Sequence, residues 1–304
     1  MAESLCRVGE LEICYETFGD PGDPPMLLIM GLGTQMVAWP DDFCAALAER
    51  GFFVIRHDNR DIGRSTHLDG AKRPTTVQLL TRDKRAAAYT LADMAGDSVG
   101  VLDELGIEKA HIVGASMGGM IAQTIAIRYP QRTLSLVSIM SNTGSRWSGQ
   151  PALSLYALLL KPAPREREAF IQHAVDMFTK IGGSGYEPDV EDLRTIATSS
   201  YDRGHDPRGS QRQLAAIVAD RDRSPALAHV KVPTTVIHGA DDKLVRPSGG
   251  RDTAKAIPGA KLIEIAGMGH GLPRGAWPQI IDAIVSQARR ATPRQGSRAG
   301  SPHR

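Results

Sequence analysis

Ser116 is the residue best placed for covalent chemistry, because it is the central residue of the pentapeptide Gly-Ala-Ser-Met-Gly. The apolar run over 110–113 predicts a strand before it, and the pattern over 118–129 predicts a helix after it. A sharp strand-to-helix turn lifts the serine hydroxyl above the sheet, and the two glycines leave room for the tight backbone. A glycine-rich turn without chemistry has the same composition, but the flanking strand and helix favour a nucleophilic serine.

A nucleophilic serine needs a base, and the base needs an acid that orients it. In a site of this kind the chain order is serine, acid, histidine. His270, in the loop Ala-Gly-Met-Gly-His-Gly after a predicted strand, is the predicted base. The acid is Asp242 or its neighbour Asp241, at the carboxyl end of the strand predicted over 234–238, and we favour Asp242. Both aspartates could instead be turn residues, and the nearby His238 is predicted to be a packed core residue.

Two backbone N–H groups are predicted to bind the negative oxygen that forms during acyl transfer. One is that of Met117, at the start of the helix after the serine, where the helix field also favours negative charge. The other is that of Leu32, in a Gly-Leu-Gly loop after the strand predicted over 26–30. An ordinary glycine turn is the alternative for this loop.

Apolar side chains are expected around the serine, and they indicate a small-molecule ester or thioester with an apolar acyl part. Trp39, Met140 and Met268 are the predicted pocket residues, and methionine side chains make adaptable walls. The same residues could equally belong to the hydrophobic core.

These residues require an α/β framework, and the order of apolar runs supplies one. Short strands with little polar alternation, separated by helical patterns, predict a parallel sheet covered on both faces. After position 142 the spacing of apolar residues becomes typical of helices, and short apolar runs typical of strands return near 234. The sequence therefore predicts a core over 1–142 and 226–290, a helical cap over 143–225, and a basic, disordered tail over 291–304.

The composition excludes several classes of protein. The chain has 304 residues, of which 41% are hydrophobic and 23% charged, so it has apolar residues for a sizeable core. No apolar run reaches the roughly 18 residues that a spanning helix needs. The net charge is +2, but five arginines and no acid lie over 289–304, so the rest of the chain is acidic. We therefore expect no nucleic-acid partner.

Other segments give weaker expectations. The first residues have neither a basic region nor an apolar run, and the three cysteines form no CxxC pair, so reduced thiols and a cytoplasmic location are expected. The basic segment 70–89 is either an amphipathic helix that makes peripheral membrane contact or a solvated surface helix, and the second is favoured. No cofactor or metal is expected, because the sequence has no Walker loop and no metal-spaced cluster of histidine and cysteine.

With these motifs the chain resembles the α/β-hydrolase superfamily over most of its length. The stretches 27–33, 55–65 and 267–270 look like one branch of bacterial serine esterases, which includes mycobacterial lipase G-type esterases and, more distantly, aclacinomycin methylesterases. The resemblance implies an eight-stranded, mostly parallel sheet with a helical cap between strands six and seven. It also implies the site residues already derived: nucleophile Ser116, acid Asp242, base His270, and oxyanion donors Leu32 and Met117.

The resemblance has one departure and leaves alternatives open. Many members carry His-Gly before the oxyanion loop, whereas this chain has Met30-Gly31, so the site is more apolar. The turn over 59–63 resembles a structural brace of the family. The activity implied is that of a serine carboxylic ester hydrolase of the esterase, lipase or thioesterase kind. Alternatives are a methylesterase of a bulky aromatic or polyketide substrate, a non-hydrolytic acyltransferase or lyase, and a ligand-binding protein on the same fold.

Overall fold

The fold is described from a computed structural model, which describes residues 3–72, 74–155 and 163–291. The tail expected over 291–304 therefore lies outside the described residues, except for residue 291, which ends the last helix. All three cysteines are buried and free.

Eight strands form a single sheet in the order β1-β2-β4-β3-β5-β6-β7-β8. β2 pairs antiparallel with both of its neighbours, β1 and β4, and every other pair of neighbouring strands is parallel. The expected eight-stranded, mostly parallel sheet is therefore confirmed. The strands are β1 (Ser4–Val8), β2 (Leu11–Phe18), β3 (Pro25–Ile29), β4 (Phe53–His57), β5 (Ala110–Ala115), β6 (Thr133–Ile139), β7 (Thr234–Gly239) and β8 (Lys261–Ile265).

Ten α-helices lie within the described ranges, beside several short 3-10 turns. They are α1 (Asp41–Ala48), α2 (Thr76–Thr81), α3 (Leu91–Glu104), α4 (Met117–Arg128), α5 (Arg167–Ile181), α6 (Val190–Arg203), α7 (Pro207–Ala219), α8 (Ser224–Leu227), α9 (Ser248–Ala256) and α10 (Trp277–Ala291). In the described part of the chain, none of them combines the length and apolar character needed to cross a membrane.

Both faces of the sheet are buried, which explains why its central strands are almost entirely apolar. Successive side chains of a strand point to opposite faces. In β3, Leu27 and Ile29 pack into the cluster that contains residues of α3 and α4. Met26 and Leu28 pack into the cluster on the other face, with residues of α1 and α10. Helices therefore cover both faces, as a parallel sheet requires.

A helical region interrupts the sheet between β6 and β7, and we call residues 140–233 the inserted segment. Its described residues form α5, α6, α7 and α8, with no strand among them. The long helices α5 and α6 pack against each other. The boundaries 143–225 proposed for a separate cap stay a prediction.

Buried ion pairs fasten the inserted segment to the turn after β4. Arg212 of α7 donates from two nitrogens to Asp61 at 2.6 and 2.8 Å, and both side chains are almost completely buried. Arg203, at the end of α6, pairs with Asp58 at 2.8 Å. Asp61 belongs to the turn over 59–63 that the sequence indicated as a structural brace, and Asp58 directly precedes it, so this turn ties core and insertion together.

Candidate active site

Ser116 lies on a strained turn between β5 and α4. Its φ is +57° and its ψ is −118°, a conformation that a non-glycine residue rarely adopts. The flanking glycines allow the turn by close backbone approach. A Cβ at Gly114 would lie 2.0 Å from the carbonyl oxygen of Gly118, and a Cβ at Gly118 would lie 2.0 Å from that of Ile29. The pentapeptide therefore carries its glycines for steric reasons, as the sequence indicated.

Two loops bring a histidine and an aspartate to this serine. Nε2 of His270, in the loop after β8, lies 2.9 Å from the Oγ of Ser116. Nδ1 of the same ring lies 2.7 Å from Oδ2 of Asp242, in the loop after β7. The structure thus joins the three residues in one chain of hydrogen bonds, although they are distant in sequence.

The environment of Asp242 fixes both its charge and the histidine tautomer. Burial alone raises the pKa of this carboxyl, but the charges and hydrogen bonds of His270 and His238 outweigh burial and lower it to about 2. The carboxylate can then only accept, so Nδ1 of His270 carries the proton and Nε2 is left to accept from the serine hydroxyl. Oδ1 accepts the backbone N–H groups of Leu244 and Val245, each at 2.8 Å, which holds the carboxylate in place.

The neighbouring Asp241 has a different environment. Its carboxylate accepts hydrogen bonds from the hydroxyl and the backbone N–H of Ser184, in the loop after α5. The structure therefore brings Asp242 to His270 and directs Asp241 toward the inserted segment.

The Gly-Leu-Gly loop lies directly beside the serine. A Cβ at Gly31 would be 3.1 Å from the Cβ and 3.5 Å from the Oγ of Ser116, so the missing side chain keeps this space free. Leu32 is half-buried, with its side chain against the core. Met117 is the first residue of α4, where backbone N–H groups have no partner within the helix. Both residues predicted to supply donors thus flank Ser116.

The predicted pocket residues all lie in the core cluster on the α1 and α10 face. Trp39 and Met268 have no exposed surface, and Trp39 packs against Phe43 with their ring centroids 5.4 Å apart. Met140, at the end of β6, has a φ of +42° and is also buried. Packing in the hydrophobic core explains the positions of these three side chains, and the sequence analysis left that alternative open. Their role in substrate binding stays a prediction.

His238 has a contact that the sequence analysis missed. It is fully buried, as predicted for a core residue, but its ring faces the acid. Its Nε2 lies 2.7 Å from the carbonyl oxygen of Val245 and 3.4 Å from Oδ2 of Asp242. A carbonyl oxygen only accepts, so Nε2 carries the proton and adds a donor beside the carboxylate. The one signal in the sequence is the spacing of four residues across the turn after β7.

Comparisons with known proteins agree with the observed fold. A family model described as "alpha/beta hydrolase fold" matches residues 24–273. The chain is 30% identical to rhodomycin D methylesterase DauP of Streptomyces sp. (strain C5), over 96% of this chain and 100% of that relative. Among solved structures, the enol-lactonase from Burkholderia xenovorans LB400 superposes with a TM-score of 0.70 at 23% identity, over 93% of this chain and 99% of that one. A thermophilic esterase from Thermogutta terrifontis gives 0.72 at 22% identity, over 96% and 99%.

A mostly parallel sheet with a serine on the sharp turn between a strand and a helix defines the class of protein, an α/β protein with helices on both faces of its sheet. The family match covers most of the chain, and the methylesterase relative is aligned over its whole length. The chain belongs to the alpha/beta hydrolase fold family, and the resemblance inferred from its sequence is confirmed.

Proposed function

We propose that this chain is a serine carboxylic ester hydrolase in which Ser116 is the nucleophile, His270 the general base and Asp242 the acid that orients it. The observation that carries the proposal is the continuous hydrogen-bond chain from carboxylate to imidazole to hydroxyl, at 2.7 and 2.9 Å. Relatives of the chain are named methylesterases, which supports ester hydrolysis as its general activity.

The reaction follows from the protonation states in this chain of residues. Nε2 of His270 takes the hydroxyl proton as Ser116 attacks the ester carbonyl, and Asp242 stabilises the imidazolium that forms. The imidazolium then protonates the leaving alcohol, which leaves an acyl group on the serine. Water, activated by the same histidine, attacks that acyl group and releases the acid.

The backbone N–H groups of Leu32 and Met117 are proposed to bind the negative oxygen of the tetrahedral intermediate. The proposal is supported by the position of Met117 directly after Ser116 at the start of α4, and by the position of Leu32 directly after Gly31, whose missing side chain leaves room beside the serine. Donors fixed in place before the reaction are most effective, because they need not reorganise as the charge develops. Removal of one such donor costs about 10²–10³ in kcat.

The substrate is proposed to be a small-molecule ester or thioester with an apolar acyl part, since the loop beside the serine combines Gly31, which leaves space there, with the apolar and half-buried Leu32. A methyl ester of a bulky aromatic or polyketide compound is the second candidate. It is supported by the identity of 30% to rhodomycin D methylesterase, over 96% of this chain and 100% of that relative.

The experiment that tests the proposal is hydrolysis of p-nitrophenyl esters of two to sixteen carbons by the wild type and by Ser116→Ala. We expect activity in the wild type, strongest for medium chains, and its loss in the variant. A methyl ester of a bulky aromatic acid, assayed in parallel, distinguishes the second candidate. Equal activity in Ser116→Ala would contradict the proposed nucleophile, and a steady decline from two carbons upward would contradict the apolar acyl pocket.

A further inference from the structure

The inserted segment contacts the candidate reaction centre from two directions. At the end of α5, the carbonyl of Ile181 accepts the backbone N–H of His270 at 2.7 Å, and the carbonyl of Gly182 accepts that of Gly269 at 2.8 Å. From the other direction, Gln213 of α7 reaches the Gly-Leu-Gly loop. The segment therefore holds main chain on the side of the base and on the side of the oxyanion donor.

Gln213 is fully buried, and both ends of its amide are used. Its Oε1 accepts the backbone N–H of Gly33 at 2.9 Å, and its Nε2 donates to the carbonyl of Arg60 at 2.9 Å. The first bond fixes the peptide plane that joins Leu32 to Gly33. The second fixes the amide itself to the turn after β4, so the glutamine links helix, loop and turn.

The preceding peptide plane is fixed by a local contact. The hydroxyl of Thr34 donates to the carbonyl of Gly31 at 3.0 Å. In a trans peptide the carbonyl and the following N–H point in opposite directions, so this bond directs the N–H of Leu32 away from Thr34. Two successive peptide planes around Leu32 are thus held, one by Thr34 and one by Gln213.

The helix that carries Gln213 is itself held firmly against the core. A Cβ at Gly209 would lie 1.9 Å from the carbonyl oxygen of Asp61, and Arg212 forms its buried ion pair with the same aspartate. Ser210 fills the space beside Gly33, where an added Cβ would lie 3.0 Å from its Oγ. Gln213 therefore lies on a helix with little freedom to move.

We propose that Gln213 is a positioning residue, through which α7 holds the loop that presents the N–H of Leu32 to the oxyanion. The inference rests on the proposed function of Ser116 and extends it to the inserted segment, which becomes part of the reaction centre. An oxyanion exists only after attack on the ester, so a misplaced donor affects the transition state and leaves binding of the ester largely unchanged. Loss of Gln213 should accordingly reduce kcat and spare KM.

The test is Gln213→Met, which has similar length and offers neither an amide donor nor an amide acceptor. Its matched control is Gln287→Met, since Gln287 is also a buried glutamine, bonded to Thr235 at 2.7 Å near the amino end of β7. We expect kcat on a p-nitrophenyl ester to fall about 10- to 100-fold in Gln213→Met, with KM changed less than about twofold. Affinity for a trifluoromethyl ketone, which binds serine as an oxyanion, should fall in the same proportion. Gln287→Met should keep the wild-type kcat.

A second variant keeps the test available if Gln213→Met does not fold. Gln213→Asn keeps the amide but is too short to span both partners, so its kcat should also fall while KM stays largely unchanged. All rates are divided by the concentration of sites titrated with a fluorophosphonate, so that loss of folded enzyme is not counted.

Two results would overturn the inference: equal kcat per titrated site in Gln213→Met and Gln287→Met, or a kcat in Gln213→Asn equal to that of Gln287→Met. Ser116→Ala separates this inference from the proposed function. Hydrolysis that persists in Ser116→Ala refutes the proposed function, whatever Gln213 does. Hydrolysis that is lost in Ser116→Ala and unchanged in Gln213→Met refutes the positioning role alone.

Discussion

Replacement of Asp242 by asparagine isolates the charge of the proposed acid from its shape. Oδ1 of Asp242 accepts two backbone N–H groups, those of Leu244 and Val245, at 2.8 Å each. Asparagine can keep both bonds only if its carbonyl oxygen takes that position. Its NH₂ group then faces Nδ1 of His270, where the carboxylate oxygen was 2.7 Å away.

The consequence is a change of histidine tautomer. An NH₂ group is a donor, so Nδ1 of His270 must give up its proton, and the neutral ring then carries it on Nε2. Nε2 in that state cannot accept the proton of Ser116. The corresponding change in other serine hydrolases lowers kcat about 10⁴-fold, or about 5.4 kcal/mol at 1.36 kcal/mol per factor of ten. We expect a loss of this size in Asp242→Asn.

The assay is kcat per folded enzyme on a p-nitrophenyl ester, with thermal melting to verify folding. Asp241→Asn is the matched control, because Asp241 is the neighbouring carboxylate and contacts Ser184 rather than the histidine. The control should keep a kcat close to that of the wild type. Asp242→Asn with more than about a tenth of wild-type kcat, or an equal loss in Asp241→Asn, would refute the reasoning, since about 10⁴ is expected from the tautomer argument.

Two further predictions concern stability. Burial lowers the pKa of His57 and of His111 to about 4. Between that pH and the ordinary histidine pKa of about 6.5, the unfolded chain therefore binds more protons than the folded chain. As the pH is lowered through this range, the free energy of unfolding should fall by up to about 1.4 kcal/mol per pH unit for each histidine. Urea denaturation at several pH values checks this, and an unchanged slope in His111→Gln would contradict it. Arg212→Met leaves Asp61 buried and unpaired, so it should cost about 3–5 kcal/mol. Arg50→Met, which breaks an exposed ion pair, should cost about 0–1 kcal/mol, and similar losses in the two variants would be the contrary result.

The parts of the fold that the sequence predicted well are those with strong local patterns. The central strands are buried on both faces and have short apolar sequences, so β3, β5 and β7 were predicted within one or two residues of their observed ends. The edge strand β1 was not predicted, because only Cys6 within it is buried and no alternation is visible. In the described residues of the segment 70–89, the structure has only the short helix α2 and a 3-10 turn at Lys84–Ala86.

The residues of the candidate site also differ in whether a local sequence pattern reveals them. Ser116 and His270 could be located from local glycine patterns and chain order, since such loops require glycine wherever the backbone passes close to another chain segment. Gln213 could not, because its partner Gly33 is 180 residues away and nothing in the helix sequence points to it. Trp39 was assigned to a pocket because it is a large apolar residue. Its burial depends on packing with residues of α1 and α10, of which α10 is distant in sequence and leaves no local pattern.

Covalent labelling of the nucleophile tests the central claim most directly. The wild type is treated with a fluorophosphonate, its intact mass is measured, and the labelled peptide is sequenced by mass spectrometry. We predict one label per chain, on Ser116, with the rate of labelling much reduced in His270→Ala because the base is missing. A label on another residue, or ester hydrolysis by a chain that takes no label at Ser116, would contradict the claim.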